Sequence, residues 1–90
     1  MLARIKDRKA LEKATAQHSD YFVLFFWGKF SDSAERALQE LTEFTREYKD
    51  VPLFVIDVQQ MKGVHKEYRV DSVPTVLVMK NGREIGRAHV

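Results

Sequence analysis

The chain has 90 residues and no cysteine. At about 100–200 residues per domain this is one compact domain without a linker, and a chain of this size can hide about 60–70% of its unfolded surface, enough for a modest core. Fifteen Lys and Arg against thirteen Asp and Glu leave a net charge of +2, too small an excess to mark a nucleic-acid or membrane-surface binder.

The composition excludes more. A chain that is 44% hydrophobic and 31% charged, with six Phe, three Tyr and one Trp, is not disordered. Without cysteine there is no disulfide, thiolate nucleophile, iron–sulfur cluster or Cys-based zinc site, and the redox compartment is left unread. No apolar run approaches the ~18 residues of a membrane span, and the N-terminus lacks the apolar stretch of a signal peptide. The expectation is a cytoplasmic protein. Residues 1–17 carry Arg4, Lys6, Arg8, Lys9 and Lys13 against Asp7 and Glu12. A solvated helix face is the preferred reading there, ahead of a phosphate-binding patch.

In chain order, Met1–Ile5 is a candidate edge strand. Lys6–His18 has a helical pattern on Ala10, Leu11 and Ala14, with Asp7 as N-cap. Tyr21–Trp27 is continuously apolar, as expected of a strand buried on both faces in the middle of an α/β sheet. A helix from about Ser33 to Lys49 follows, with Ala34, Ala37, Leu38, Leu41, Phe44 and Tyr48 recurring at spacings of three and four. Asp32 and Glu35 have capping-box spacing, and Ser31 is a rival N-cap. Leu53–Val58 reads as a second central strand, and Gln59–Arg69 as a weaker helix with Gly63 inside it and Val64 and Tyr68 facing inward. Thr75–Lys80 is a third strand, apolar on both faces. Asn81-Gly82 is a strong hairpin signal that makes Arg83 to about Ala88 its antiparallel partner. The order predicts a mixed four-stranded sheet flanked by helices, with room for a short fifth edge strand.

With these elements in place, the stretch from Phe22 to Val90 resembles a thioredoxin domain. Phe26-Trp27, followed by a helix start, is similar to the family's Phe-Trp-x-x-Trp-Cys-Gly-Pro-Cys segment. Val55-Ile56-Asp57 resembles its strand ending in Val-Asp. Tyr68 to Thr75 resembles its Tyr-Gly-Ile-x-x-Ile-Pro-Thr run, whose proline is cis in that family, and Lys80-Asn81-Gly82-Arg83 resembles its Lys-Asn-Gly-Glu hairpin. The implied fold is thioredoxin-like α/β.

Three departures shape the functional expectation. Over the family's Cys-Gly-Pro-Cys this chain reads Ser31-Asp32-Ser33-Ala34. Thiol–disulfide exchange needs an attacking thiolate and a resolving thiol, and a serine without an adjacent base is a far weaker nucleophile. The family's buried Asp, two residues before the Trp, is Phe25 here, which favours native serines over engineered ones. The chain also stops at Val90, where the family continues into a last helix. The expectation is a sheet lacking its C-terminal helix, with a face to be covered by a homodimer, a partner protein or further chain.

The resemblance implies that the residue before the cis-proline offers its backbone to an extended peptide by strand addition. Val73 and Pro74 are therefore candidate peptide-binding residues, with Trp27, Phe30, Ser31 and Ser33 as the rest of the groove. Each also has a structural alternative: a strand-starting turn for Val73-Pro74, plain N-capping for Ser31 and Ser33, and core packing for Trp27. His18, His65 and His89 share no metal-ligand spacing and read as surface residues. Asp57 has no partner base, and no cofactor is implied. The expected function is a non-catalytic protein-interaction module. The alternatives are an assembly domain using the uncovered sheet face, and an oxidoreductase relative whose cysteines were replaced.

Overall fold

A computed structural model describes residues 1–17, 20–29 and 31–89. The elements are β1 (Leu2–Ile5), α1 (Arg8–Gln17), β2 (Phe22–Trp27), α2 (Asp32–Glu47), β3 (Leu53–Asp57), α3 (Val64–Glu67), β4 (Thr75–Lys80) and β5 (Arg83–His89). They form one five-stranded sheet in the order β1-β3-β2-β4-β5. β1, β3 and β2 run parallel, while β4 and β5 are antiparallel additions. The edge strand at the N-terminus is therefore present, and the sheet has five strands.

Continuous hydrophobicity in the central strands follows from burial on two sides. Phe22, Leu24 and Phe26 of β2 point to one face, where they pack with Phe54 and Ile56 of β3, Leu77 and Met79 of β4, Leu11 and Ala14 of α1, and Val64 of α3. Val23 and Phe25 point to the other, against Leu53, Val55 and Ala37, with Leu38 and Leu41 of α2 and Val76 packed around them. Helices α1 and α3 thus cover one face and α2 the other. Phe22, Leu24, Phe25 and Phe26 have no exposed surface at all.

The caps and turns explain the boundaries. Asp7 Oδ1 accepts the Ala10 N–H at 2.8 Å, closing one of the open donors at the start of α1 as its sequence position foretold. At α2 the N-cap is Ser31, not Asp32, and no side-chain capping bond forms; Ser31 Oγ instead lies 3.1 Å from Ser33 Oγ. The predicted capping box is therefore absent. Tyr48, expected on the inner face of α2, is past its end and exposed.

The helix predicted over Gln59–Arg69 shrinks to the single turn Val64–Glu67. Asp57 causes this: its Oδ1 accepts the Gln59 N–H at 2.8 Å, and its carbonyl accepts from Gln60 and Met61. The chain is thereby held in turns until Gly63, at φ +87°, releases it into the helix. The hairpin is as predicted. Asn81 and Gly82 both have positive φ (52° and 74°), the requirement of a type I′ turn.

Among the described residues no helix follows β5. Val76 and Val78 of β4 are half-buried, opposite Ala88 and Gly86 of β5. This part of the α2-side face is only partly covered.

Candidate functional site

The end of β2 and the start of β4 are neighbours. Their antiparallel register pairs Phe26 with Thr75, so Trp27-Gly28 and Val73-Pro74 emerge side by side at one edge of the sheet. The Ser31 N–H donates to the Gly28 carbonyl at 3.1 Å, and the Ser31 carbonyl accepts from Ala34. The start of α2 is thus folded back onto the strand end. Ala34, at the position of the second family cysteine, has no exposed surface.

The segment before β4 is held from below and left open above. Val70 is buried and donates its N–H to the His65 carbonyl at 2.9 Å. The buried Thr75 hydroxyl donates to the Ser72 carbonyl at 2.7 Å and lies 3.1 Å from His89 Nδ1, which is also 3.2 Å from Ser72 Oγ. The Val73–Pro74 peptide bond is cis. Pro74 is buried, and Val73 is half-buried against the core. Among the described residues, neither the N–H nor the carbonyl of Val73 has a hydrogen-bond partner.

A 280 Å³ cavity beside this segment is lined by Val58, His65, Asp71, Ser72 and Val73. His65, expected on the surface, is half-buried, and its Nδ1 is enclosed without a partner among the described residues. Nothing in the spacing of the histidines pointed to it. Only the collapse of the predicted helix into one turn brings His65 beneath the 70–75 segment.

Arg87 of β5 braces the same region. Its guanidinium donates to the Tyr68 and Arg69 carbonyls, both at 2.7 Å, and pairs with Glu84 at 2.8 Å. A cation on the open carbonyls at a helix C-terminus is favourable, and it ties β5 to the turn leading into Val73. The hydrogen bond from Arg87 holds the Glu84 carboxyl below the usual range. Burial of Tyr68 against Phe26 (ring centroids 5.6 Å apart) raises its phenol, with Glu67 adding to the rise and Arg8 opposing it.

Of the candidate residues, Trp27, Ser31, Val73 and Pro74 thus lie at or beside one edge. Ser33 joins them through Ser31. Phe30 lies outside the described residues. Trp27 is half-buried against the α2-side core, as its structural alternative expected, yet its Nε1 is enclosed with no acceptor among the described residues.

The comparisons with known proteins bear on this arrangement. The family model for thioredoxin matches residues 3–89. The chain belongs to the thioredoxin family. It is similar to thioredoxin-2 of Saccharomyces cerevisiae, at 23% identity over 87 residues covering 97% of this chain and 84% of that protein. It is also similar to the thioredoxin of Echinococcus granulosus, at 31% identity over 80 residues covering 89% of this chain and 74% of that one. Among solved structures, reduced Schistosoma mansoni thioredoxin pre-protein superposes with a TM-score of 0.91 at 22% identity, covering 98% of this chain and 84% of that one. This likeness establishes the thioredoxin fold. What the thioredoxin motif supplies chemically is missing, because these 90 residues contain no thiol, and thiol–disulfide exchange requires one to attack and one to resolve.

Proposed function

We propose that this thioredoxin-family domain works without redox chemistry, as a protein-interaction module that holds an extended segment of a partner along Val73-Pro74. Trp27, Ser31 and Ser33 border that groove, and Phe30 completes the set by sequence position. The observation that carries the reading is the backbone of Val73, whose N–H and carbonyl have no hydrogen-bond partner among the described residues. A peptide laid alongside it gains main-chain hydrogen bonds as an added strand would, and those bonds do not depend on a cysteine. The neighbouring cavity at Val58, His65 and Ser72 gives one peptide side chain a place to go, with the His65 ring as its polar contact. An enclosed polar atom left unpaired costs about 1–3 kcal/mol, so a ligand that pairs it recovers that amount.

The test is a peptide selected from a random library on the immobilised domain, then titrated into ¹⁵N-labelled protein. Shifts centred on Val73, Thr75, Ser31 and the Trp27 indole N–H, lost in a folded Val73→Arg variant, are the expected result. Binding that shifts other surfaces, or that survives Val73→Arg, would overturn the reading.

A second reading, assembly through the sheet face, is favoured by the partly bare strip at Val76, Val78 and Ala88, with Ile85 55% exposed nearby on β5. Sedimentation equilibrium separates the two: a tight dimer weakened by Val78→Lys supports assembly, and a monomer leaves the groove reading in place.

A further inference from the structure

At the opposite side of the same sheet edge, the carboxyl ends of the parallel strands β1, β3 and β2 enclose a second cavity. Its lining includes Arg4, Lys6, Trp27, Lys29, Asp57 and Gln60, and its volume is about 180 Å³. The register explains why these side chains converge. Arg4 pairs with Val55, and Trp27 with Asp57. Residues two apart in a strand share a face, so Arg4, Asp57 and Trp27 project to the α2 side, and Lys6 follows in the turn after β1. Lys29 follows from the turn after β2.

Three features define the ligand. The lining holds three cations and one acid, and no ion pair engages Arg4, Lys6 or Lys29 among the described residues. The Asp57 carboxylate is turned back onto its own turn, accepting the Gln59 N–H through Oδ1. Trp27 lines the cavity with its Nε1 enclosed and without an acceptor, while the Arg4 guanidinium stacks 5.3 Å from the ring centroid. Three cations around one cavity, none of them in an ion pair among the described residues, call for an oxyanion. The volume sets the size. It falls below the ~300 Å³ of a pocket for a drug-sized molecule, a size suited to a phosphate group. The carboxyl ends of the strands are also where open α/β sheets characteristically receive ligands.

We infer that this cavity binds a phosphate group, carried by a small phosphomonoester or as the free ion, between Arg4, Lys6 and Lys29 and beside the Trp27 ring. The cavity shares Trp27 with the groove, while neither Val73 nor Pro74 lines it.

Trp27 is the single tryptophan, so its fluorescence and its indole N–H resonance report the site directly. Inorganic phosphate and glycerol phosphate would be titrated separately at constant ionic strength held with sodium chloride. The expected result is a saturable change in both signals. It should weaken about tenfold in the Lys6→Gln/Lys29→Gln double variant, the combined effect of two exposed ion pairs, and be unchanged in Lys13→Gln, where a lysine is removed from α1. Both lysines are exposed, and circular dichroism checks that the double variant stays folded. Tighter binding of glycerol phosphate than of phosphate assigns the site to an ester, and the reverse assigns it to the free ion. A response that never saturates, or an identical one in the double variant, would overturn the inference. Val73→Arg should respond as wild type does, so failure here is distinguishable from failure of the groove reading.

Discussion

Replacing Phe25 by Asp tests whether the lost acid of the thioredoxin motif has become ordinary core. Phe25 lies at the centre of β2 with no exposed surface, flanked in register by Val55 of β3 and Val76 of β4 and packed against the cluster that includes Ala37. Val55, Val76 and Ala37 offer no hydrogen-bond donor, and the one side-chain donor in that cluster is the indole N–H of Trp27. Loss of the ring alone should cost about 3–5 kcal/mol, as for Phe truncations in other cores. The carboxyl adds a pH-dependent part. Burial favours its neutral form and raises its folded-state pKa, by up to ~3–5 units above the unfolded value near 3.9 where the Trp27 N–H does not reach it. An acid whose folded pKa is raised binds more protons in the native state. Stability therefore falls as pH rises from about 4 toward the folded pKa, by about 1.4 kcal/mol per pH unit.

Relative to wild type, Phe25→Asp should thus lose roughly 4 kcal/mol more at pH 7 than at pH 4, a span of three units at that slope. A domain of this size has a total stability of about 5–13 kcal/mol at 0.05–0.15 kcal/mol per residue. The variant should be folded near pH 4.5 and largely unfolded at neutral pH. Urea unfolding followed by Trp27 fluorescence at several pH values, with Phe25→Leu as the apolar control, gives the slope. A Phe25→Asp variant that parallels Phe25→Leu across this range would refute the reasoning, since it would mean that water or a donor still reaches the position.

Other perturbations have simpler expectations. Asp7→Ala removes the cap bond to Ala10 and should cost about 1 kcal/mol in urea unfolding, with Asp7→Asn retaining most of the stability. Gly82→Ala should cost about 1–2 kcal/mol, wholly from the left-handed backbone, because a Cβ there meets nothing within 4 Å; Asn81→Gly should be neutral or better. The depressed Glu84 carboxyl contributes stability that is present above its unfolded pKa and lost as pH falls through the folded one. The Tm difference between wild type and Glu84→Gln should accordingly shrink as pH drops below about 4. Arg87→Met should raise amide exchange at Val70, since it frees the Tyr68 and Arg69 carbonyls.

Much of the architecture is legible in the chain because hydrophobic period and turn chemistry act locally. Tyr21–Trp27 is apolar without alternation, and its core from Phe22 is a strand with both faces covered. Asn81-Gly82 makes the turn its backbone demands. The misreadings come where a side chain competes with the backbone ladder. Asp57 takes the amide of Gln59 and converts the first half of a predicted helix into turns, an outcome that the spacing of Val64 and Tyr68 does not reveal. Ser31 and Ser33 pair with each other instead of capping α2, a choice between two short-range hydrogen bonds that sequence cannot rank. The cavity at Arg4, Lys6 and Lys29 was invisible for a different reason. Arg4 comes from β1, Lys6 from the turn after it and Lys29 from the turn after β2, and the parallel register β1-β3-β2 brings these strand ends together; in the chain, Arg4 and Lys6 read as part of a solvated helix face.

The substitutions at Phe25 and Ala34 also belong together physically. Both positions have no exposed surface, and Phe25 and Ala37, one helical turn on from Ala34, share the α2-side core. A buried ionisable carboxyl without a partner costs stability whether or not it is used in catalysis. Replacing the carboxyl and the thiol of the family motif with an aromatic ring and a methyl removes two polar groups from the interior and adds apolar packing between β2 and α2. The segment that carries Val73 is anchored by other bonds, through Thr75, His89 and Arg87. The fold can therefore lose its thiol chemistry and gain core stability while the bonds that hold the Val73 segment stay in place. If that separation holds, stabilities of Phe25 and Ala34 variants will change without a matching change in peptide affinity, provided the variants remain folded.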